Sequence, residues 1–265
     1  LGVLELDGKD RVVGFEEKPL QPKTLPKKPN LICGSMGIYI FSLNTLYEEL
    51  IPDAGKESEH DFGKNILPQM LGRRELFAYH FVDENQKEMP YWRDIGTLDA
   101  YYEANMDLVS VSPQFNLYDR RWPVRTYQPQ LPPVKMVFAD PGEGARRGEA
   151  LDSMISTGCV ISGGSVIRSV LSAQVRVNSY ASVEDSVLMD GVDIGRRAKV
   201  KNAIIDKYVD ILPGTTIGYD LEEDRKRFHV TDSGIVVIPK GRIIGPGENR
   251  PRWEDYSRPR PGSQP

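Results

Sequence analysis

Between residues 154 and 217 the aliphatic side chains fall into step. Met154, Val160, Val166, Leu171, Val177, Val183, Leu188, Ile194, Val200, Ile205, Ile211 and Ile217 are separated by six, six and five residues in repeating order, so each triplet spans 17. A shift of 17 maps Val160 onto Val177, Ile194 and Ile211, Val166 onto Val183, Val200 and Ile217, and Met154 onto Leu171, Leu188 and Ile205. Hexapeptide spacing of this kind predicts a parallel β-helix, with three short strands per coil and one aliphatic side chain per face pointing inward. A single coil cannot bury its own column; stacked coils can. Gly163, Gly164, Asn178 and Ser179 suit the corners. The same shift carries Ile205 onto Glu222, where an inward aliphatic is required, and this predicts that the regular helix ends near Gly218.

Upstream the pattern changes. Residues 3–6 and 11–15 flank Asp7-Gly8-Lys9-Asp10 and predict a hairpin. Pro19, Pro22, Pro26 and Pro29 then forbid regular structure until residues 35–41, which carry the pattern of a buried strand. Ser42 is placed to cap a short helix over 43–50, and Ser58-Glu59-His60-Asp61 precedes a helical run over 62–71. Residues 76–81 read as another strand. Thr97 can cap a helix on which Leu98, Tyr101, Tyr102, Asn105, Leu108 and Val109 share one face. Strands alternating with helices indicate an α/β layer domain. Residues 111–148 are rich in proline and glycine and read as a linker that packs, anchored by Trp122 and Tyr127. Beyond the solenoid, residues 222–227 predict a charged helical turn, 234–238 one more strand, and 246–265 a disordered tail. The expected organisation is therefore 1–110, 111–148, 149–245 and 246–265.

A composition of 39% hydrophobic and 27% charged residues is that of an ordinary globular protein, and a net charge of -4 argues against a nucleic-acid surface. Cys33 and Cys159 each lie within an apolar run and read as structural thiols in a reducing compartment. No stretch has the length of a membrane span and no leader opens the chain, so a cytoplasmic location is expected. The chain starts at Leu1 in the middle of an apolar strand, which suggests that an upstream portion is missing.

Three local groups could carry chemistry. Glu16-Glu17-Lys18-Pro19 sets a carboxylate beside an ammonium at a strand end, suited to sugar hydroxyls and a phosphate or, equally open, to an exposed ion pair. Asp94, within Tyr91-Trp92-Arg93-Asp94-Ile95-Gly96-Thr97, could hold a divalent cation, since Mg²⁺ takes one or two carboxylates plus substrate phosphates, or could belong to the helix cap. Cys33-Gly34-Ser35-Met36-Gly37 would let backbone and a hydroxyl approach a ligand closely.

In this order, Phe15-Glu16-Glu17-Lys18-Pro19, Ser35-Met36-Gly37-Ile38-Tyr39, His60-Asp61-Phe62-Gly63-Lys64, residues 91–97 and Tyr118-Asp119-Arg120-Arg121-Trp122-Pro123 resemble the consecutive signature blocks of ADP-glucose pyrophosphorylases. The resemblance covers residues 1 to about 245. Phe-x-Glu-Lys-Pro is shared by most sugar-phosphate nucleotidyltransferases; the other blocks are narrower. The resemblance implies the C-terminal part of a Rossmann-like mixed sheet followed by a left-handed parallel β-helix. It implies attack of glucose 1-phosphate on the α-phosphorus of ATP, with Lys18 on the sugar phosphate, Glu17 on its hydroxyls, Ser35 on the sugar-phosphate, and Asp94 holding Mg²⁺ with an upstream aspartate. Lys18 and Asp94 are thus the implied catalytic residues. The family's glycine-rich nucleotide loop, catalytic basic residue and second metal aspartate would all lie upstream, so the isolated chain should be inactive. The resemblance further implies a homotetramer regulated by small phosphorylated effectors, for which Lys207, Lys240 and Arg242 are candidates. Lys207 stands where some members carry arginine, and lysine lacks bidentate phosphate recognition.

Hexapeptide solenoids also serve acyltransferases, which use a histidine beside the prism. His60, His80 and His229 all lie outside 154–217, which counts against that class. A catalytically silent regulatory or scaffolding subunit, or a related enzyme using another base, remain the alternative readings.

Overall fold

The computed structural model describes residues 2–25, 28–81, 91–120, 123–140, 142 and 146–252. Trp122 and residues 253–265 of the expected tail lie outside these. Two compact units divide at Leu1–Trp92 and Arg93–Pro265, so the helix expected to close the first domain groups instead with the solenoid.

In the first unit, β1 (Gly2–Leu6) and β2 (Val12–Glu17) form the expected antiparallel hairpin. Asp7 closes its turn: the carboxylate accepts from the N–H groups of Lys9 at 2.7 Å and Arg11 at 3.0 Å, and these bonds lower its pKa. On the other side of β1 lies β3, only Cys33–Gly34. The strand expected over 35–41 does not form. No described strand lies beside it, Gly37 turns with φ 69°, and Ile38 and Ile40 are left 74% and 97% exposed. Residues 76–81 likewise keep only an isolated bridge, Arg11 to Phe77. Helix α1 (Leu43–Ala54) runs one turn further than expected and buries Glu49, which Arg73 and Arg74 neutralise at 2.7 and 2.9 Å. The run over 62–71 is helical in two pieces: a π-helical turn (Phe62–Ile66), capped by Asp61, leads into α2 (Leu67–Met70). Ile66, Leu67 and Met70 form the small core.

The second unit opens with α3 (Leu98–Asp107), capped by Thr97 as the sequence predicts. It then winds into a parallel β-solenoid with three faces. The first face stacks Lys135–Val137, Val160–Ser162, Arg176–Val177, Asp193–Ile194, Asp210–Ile211 and Arg242–Gly245. The second stacks Glu149–Leu151, Ser165–Ile167, Ser182–Glu184, Lys199–Lys201 and Thr216–Ile217. The third stacks Met154–Ile155, Val170–Leu171, Val187–Leu188, Ala203–Ile205 and Val236–Ile238. Ten of the twelve predicted inward positions occupy the aliphatic column, and from Val166 to Ile217 they are nearly free of solvent.

The two exceptions are a register correction. Val177 pairs with Ile161, and Leu171 with Ile155, so two faces of the first coil advance by one residue fewer than the regular repeat. Ile161 is fully buried and Ile155 packs on the core, while Val160 and Met154 sit one position off. Two adjacent aliphatics at each place hid the slip, because either could fill the inward position. The first coil also begins at Lys135, inside the expected linker.

The solenoid does not end at Gly218. It pauses: the chain leaves through α4 (Leu221–Arg225) and the strand His229–Val230, then returns so that Ile205 pairs with Ile238 and Ile211 with Ile244. Glu222 is therefore on the excursion and never reaches the column. Gly218 makes the exit possible, since φ is 82° and a Cβ would collide with the Lys201 carbonyl. The return continues into Glu248–Pro251, antiparallel to Arg242–Gly245, where a disordered tail was expected. The Gly247 turn allows the hairpin.

Polar groups at the corners are organised coil by coil. Ser153, Ser169 and Ser186 stack so that each hydroxyl donates to the carbonyl two residues before it, at 2.6–2.8 Å. Each also accepts the N–H of the next coil, from Ser169, Ser186 and Ala203. Ser169 and Ser186 are fully buried, so this ladder satisfies donors that water cannot reach. Arg168, Asp185 and Asn202 occupy the same corner in successive coils with φ of 43–49°, a left-handed turn that the tight coil imposes on non-glycine residues.

Val183→Asp places an unpaired carboxylate in the column, and denaturant unfolding should show a loss of about 3 kcal/mol or more. Asp224 gives a subtler test. Burial pushes its carboxyl above the ordinary value of 3.8, although it accepts the Gly218 N–H at 2.7 Å. A raised folded-state pKa favours the folded state at low pH and loses that contribution as pH rises through it. Asp224→Asn, whose amide oxygen keeps the Gly218 bond, should therefore gain stability relative to wild type between pH 4 and 7.5. Parallel unfolding curves across that range would contradict the burial of a charge there.

Candidate functional site

Gly2 organises the first unit's site. It pairs with Glu17 across the hairpin, and its carbonyl accepts the Ser35 N–H at 2.8 Å, so one backbone position is flanked by both residues. The Glu17 carboxylate lies over two glycines: a Cβ at Gly2 would stand 2.9 Å from its Oε2 and one at Gly63 3.0 Å from it. Gly63 lies in the π-helical turn, which explains why the His60–Lys64 block and the Glu17–Lys18 block belong to one site although they are far apart along the chain. In that block Asp61 accepts the Lys64 N–H at 2.8 Å, and His60 Nδ1 stands 2.8 Å from Asp53, whose pKa it lowers.

Lys18 follows in a left-handed conformation, φ 50°, that turns the chain toward Pro19. Its exposed ammonium makes no ion pair among the described residues, with Glu17 or any other group, so the reading of the two as a neutralised pair is not what the structure holds. Ser35 is buried at 9% exposure, with its hydroxyl 3.0 Å from Tyr39 Oη and accepting the Gly37 N–H at 3.2 Å. Ser35 and Tyr39 line an open apolar cavity of about 790 Å³ floored by the Tyr39, Phe41 and Phe62 rings. Glu17, Lys18 and Ser35 are thus assembled around the end of one hairpin.

Asp94 belongs to the second unit. It is exposed, and the helix cap is made by Thr97, whose hydroxyl accepts the Ala100 N–H at 3.1 Å. The cap reading of Asp94 therefore fails. Arg93 is drawn back onto α3 by an ion pair with Glu103, leaving Asp94 between two anchored neighbours. Among the described residues no group of three or more His, Cys, Asp or Glu could enclose a metal ion. A lone accessible carboxylate fits only an ion that takes most of its ligands from water and phosphate oxygens, the habit of Mg²⁺.

The three candidate effector residues meet at one corner. The Gly241 N–H donates to the Lys207 carbonyl at 2.9 Å, which places Lys240 and Arg242 on either side of Lys207's coil. Lys240 Nζ lies 5.9 Å from the Tyr208 ring, while Arg242 is engaged by Asn249 at 2.6 and 2.9 Å. Arg252 joins them and was missed: its N–H donates to the Gly241 carbonyl at 2.7 Å and its guanidinium pairs with Asp210 at 3.1 Å. The signal for it was the turn at Gly245-Pro246-Gly247, which sends the chain back along Arg242–Gly245 rather than away. His229 is exposed on the excursion and no ion pair or hydrogen bond of its side chain is among those described, so no histidine base stands ready beside the prism.

No helix among the described residues is long and apolar enough to cross a membrane. The Nucleotidyl transferase family matches residues 1–111, and the GlmU-like, C-terminal hexapeptide family matches residues 132–238. A protein of Rhodopirellula baltica named glucose-1-phosphate adenylyltransferase is 55% identical over 245 residues, 92% of this chain and 55% of its own length. Proteins of the same name from Anaeromyxobacter sp. and Koribacter versatilis are each 52% identical, over 92% and 90% of this chain and 61% and 57% of theirs. The chain spans little more than half the length of these relatives.

Proposed function

We infer, from the premise that this chain belongs to the glucose-1-phosphate adenylyltransferase family, that it forms the sugar-phosphate side of an enzyme making ADP-glucose and pyrophosphate from ATP and glucose 1-phosphate. The observation that carries this reading is the assembly of Glu17, Lys18 and Ser35 around Gly2, in a chain half identical to proteins bearing that name.

The roles follow from the chemistry. Lys18, unpaired and exposed, is free to neutralise the sugar phosphate. Glu17, held over Gly2 and Gly63, accepts hydrogen bonds from sugar hydroxyls. Ser35 presents a hydroxyl already oriented by Tyr39. Asp94 contributes one carboxylate to a divalent ion, Mg²⁺ on this reading, and such an ion supplies charge neutralisation on the triphosphate and leaving pyrophosphate. Little covalent work falls to the protein, so positioning of the two phosphates dominates. The corner of Lys207, Lys240 and Arg242 takes a small phosphorylated effector, and the working form is a cytoplasmic homotetramer. By itself this chain is inactive.

Pyrophosphate release by the full-length protein, compared across ATP, GTP, UTP and dTTP, should favour ATP; preference for another base refutes the assignment. Lys18→Ala should raise the KM for glucose 1-phosphate far more than that for ATP, with a smaller effect on kcat, because its contact exists in the ground state. Asp94→Ala should instead lower kcat by about 10²-fold and leave glucose 1-phosphate binding nearly unchanged. A near wild-type kcat in that variant removes Asp94 from the metal site.

A further inference from the structure

Helix α3 has no fully buried residue, although its tyrosine-bearing face was expected to be apolar core. It is fastened by polar contacts instead. Tyr102 donates its hydroxyl to the Asp185 carbonyl at 2.6 Å, and half-burial beside the Asp185 carboxylate pushes the phenol up to about 12, so it remains a donor. Asp185 is one of the left-handed corner residues. Its carboxylate is clamped by Arg168 at 2.7 and 2.8 Å and its N–H donates to Ile167, so the carbonyl that receives Tyr102 is fixed.

The second fastening is at the helix's first turn. Asp99 Oδ1 accepts from the Thr231 hydroxyl at 3.2 Å and from the Ser233 hydroxyl. Thr231 and Ser233 lie on the excursion that interrupts the repeat between Ile217 and Val236, and this contact gives that interruption a role. Asp94 stands just ahead of Asp99, in a segment folded back on the helix by the Arg93–Glu103 pair and the Thr97 cap.

We propose that Tyr102 and Asp99 are positioning residues, fastening α3 at two points so that the β-solenoid sets where the Asp94 carboxylate stands. The proposal rests on the reading of Asp94 as a metal ligand. Residues that orient a ligand from behind typically change metal affinity or activity by roughly 10- to 100-fold when removed.

The test uses Tyr102→Phe, Asp99→Ala and Asp99→Asn in the full-length enzyme. Tyr102→Phe and Asp99→Ala should each raise the Mg²⁺ concentration for half-maximal rate and lower kcat by roughly 10-fold. Mn²⁺ binding in the presence of ATP, followed by electron paramagnetic resonance, should weaken in parallel, with KM for glucose 1-phosphate and the unfolding midpoint little changed. Asp99→Asn should restore wild-type behaviour, because its amide oxygen still accepts from Thr231 and Ser233. Unchanged metal dependence and Mn²⁺ binding in the first two variants overturns the proposal. So does a loss of activity accompanied only by a lower unfolding midpoint, or an Asp99→Asn variant as impaired as Asp99→Ala. If wild-type protein releases no pyrophosphate from ATP and glucose 1-phosphate, the functional reading falls on its own, and Mn²⁺ binding still judges the positioning.

Discussion

Each coil of the solenoid relies on the next for what it cannot supply itself: partners for its backbone groups and a neighbour for its inward aliphatic. That mutual dependence fixes much else in the second unit. It sets the three faces, forces left-handed residues at the corners, and makes buried serines useful, since Ser169 and Ser186 hand hydrogen bonds from coil to coil where water is excluded. It also makes the surface predictable. Once the column is in register, every corner residue of one coil stands over its counterpart in the next, and so Lys207 and Gly241 meet although the whole excursion separates them in sequence.

How far the sequence could be read depended on whether a signal repeated. The solenoid was legible because one aliphatic pattern recurs through several coils, and the errors fall where it loses redundancy. Val160-Ile161 and Met154-Ile155 each offer two adjacent aliphatics, so period alone could not choose the inward one. Past Gly218 a missing aliphatic reads the same for a solenoid that stops and for one that steps aside; only the later Val236-Val237-Ile238 and Ile243-Ile244 runs distinguish them. In the first unit the hairpin was legible from its own turn. The strand expected over 35–41 required a neighbouring strand, and strand character that depends on a distant partner is not a local property.

The candidate site was legible in its residue types and not in its geometry. Glu17 and Lys18 are adjacent in sequence, yet the structure orients the first over Gly2 and Gly63 and leaves the second free. The part played by Gly2 had no local signal at all, since a glycine in a strand ordinarily reads as a weakness. Asp94 and Thr97 illustrate the reverse case. Both are capping types near a helix start, and only the Ala100 N–H shows that the threonine took that work and released the aspartate.

The last coil raises a different matter, that of growth. A parallel stack ends in open strand edges, and an open edge is a template on which another chain can add. Here two of the three faces finish with a strand running the other way: Glu248–Pro251 lies against Arg242–Gly245, and His229–Val230 against Val236–Ile238. Reversed strands present the wrong hydrogen-bond spacing to an incoming parallel coil. The same segments that break the sequence period therefore act as a terminus in the polymer sense, so that a protein built by repetition stays a molecule of finite length rather than the first unit of a fibre.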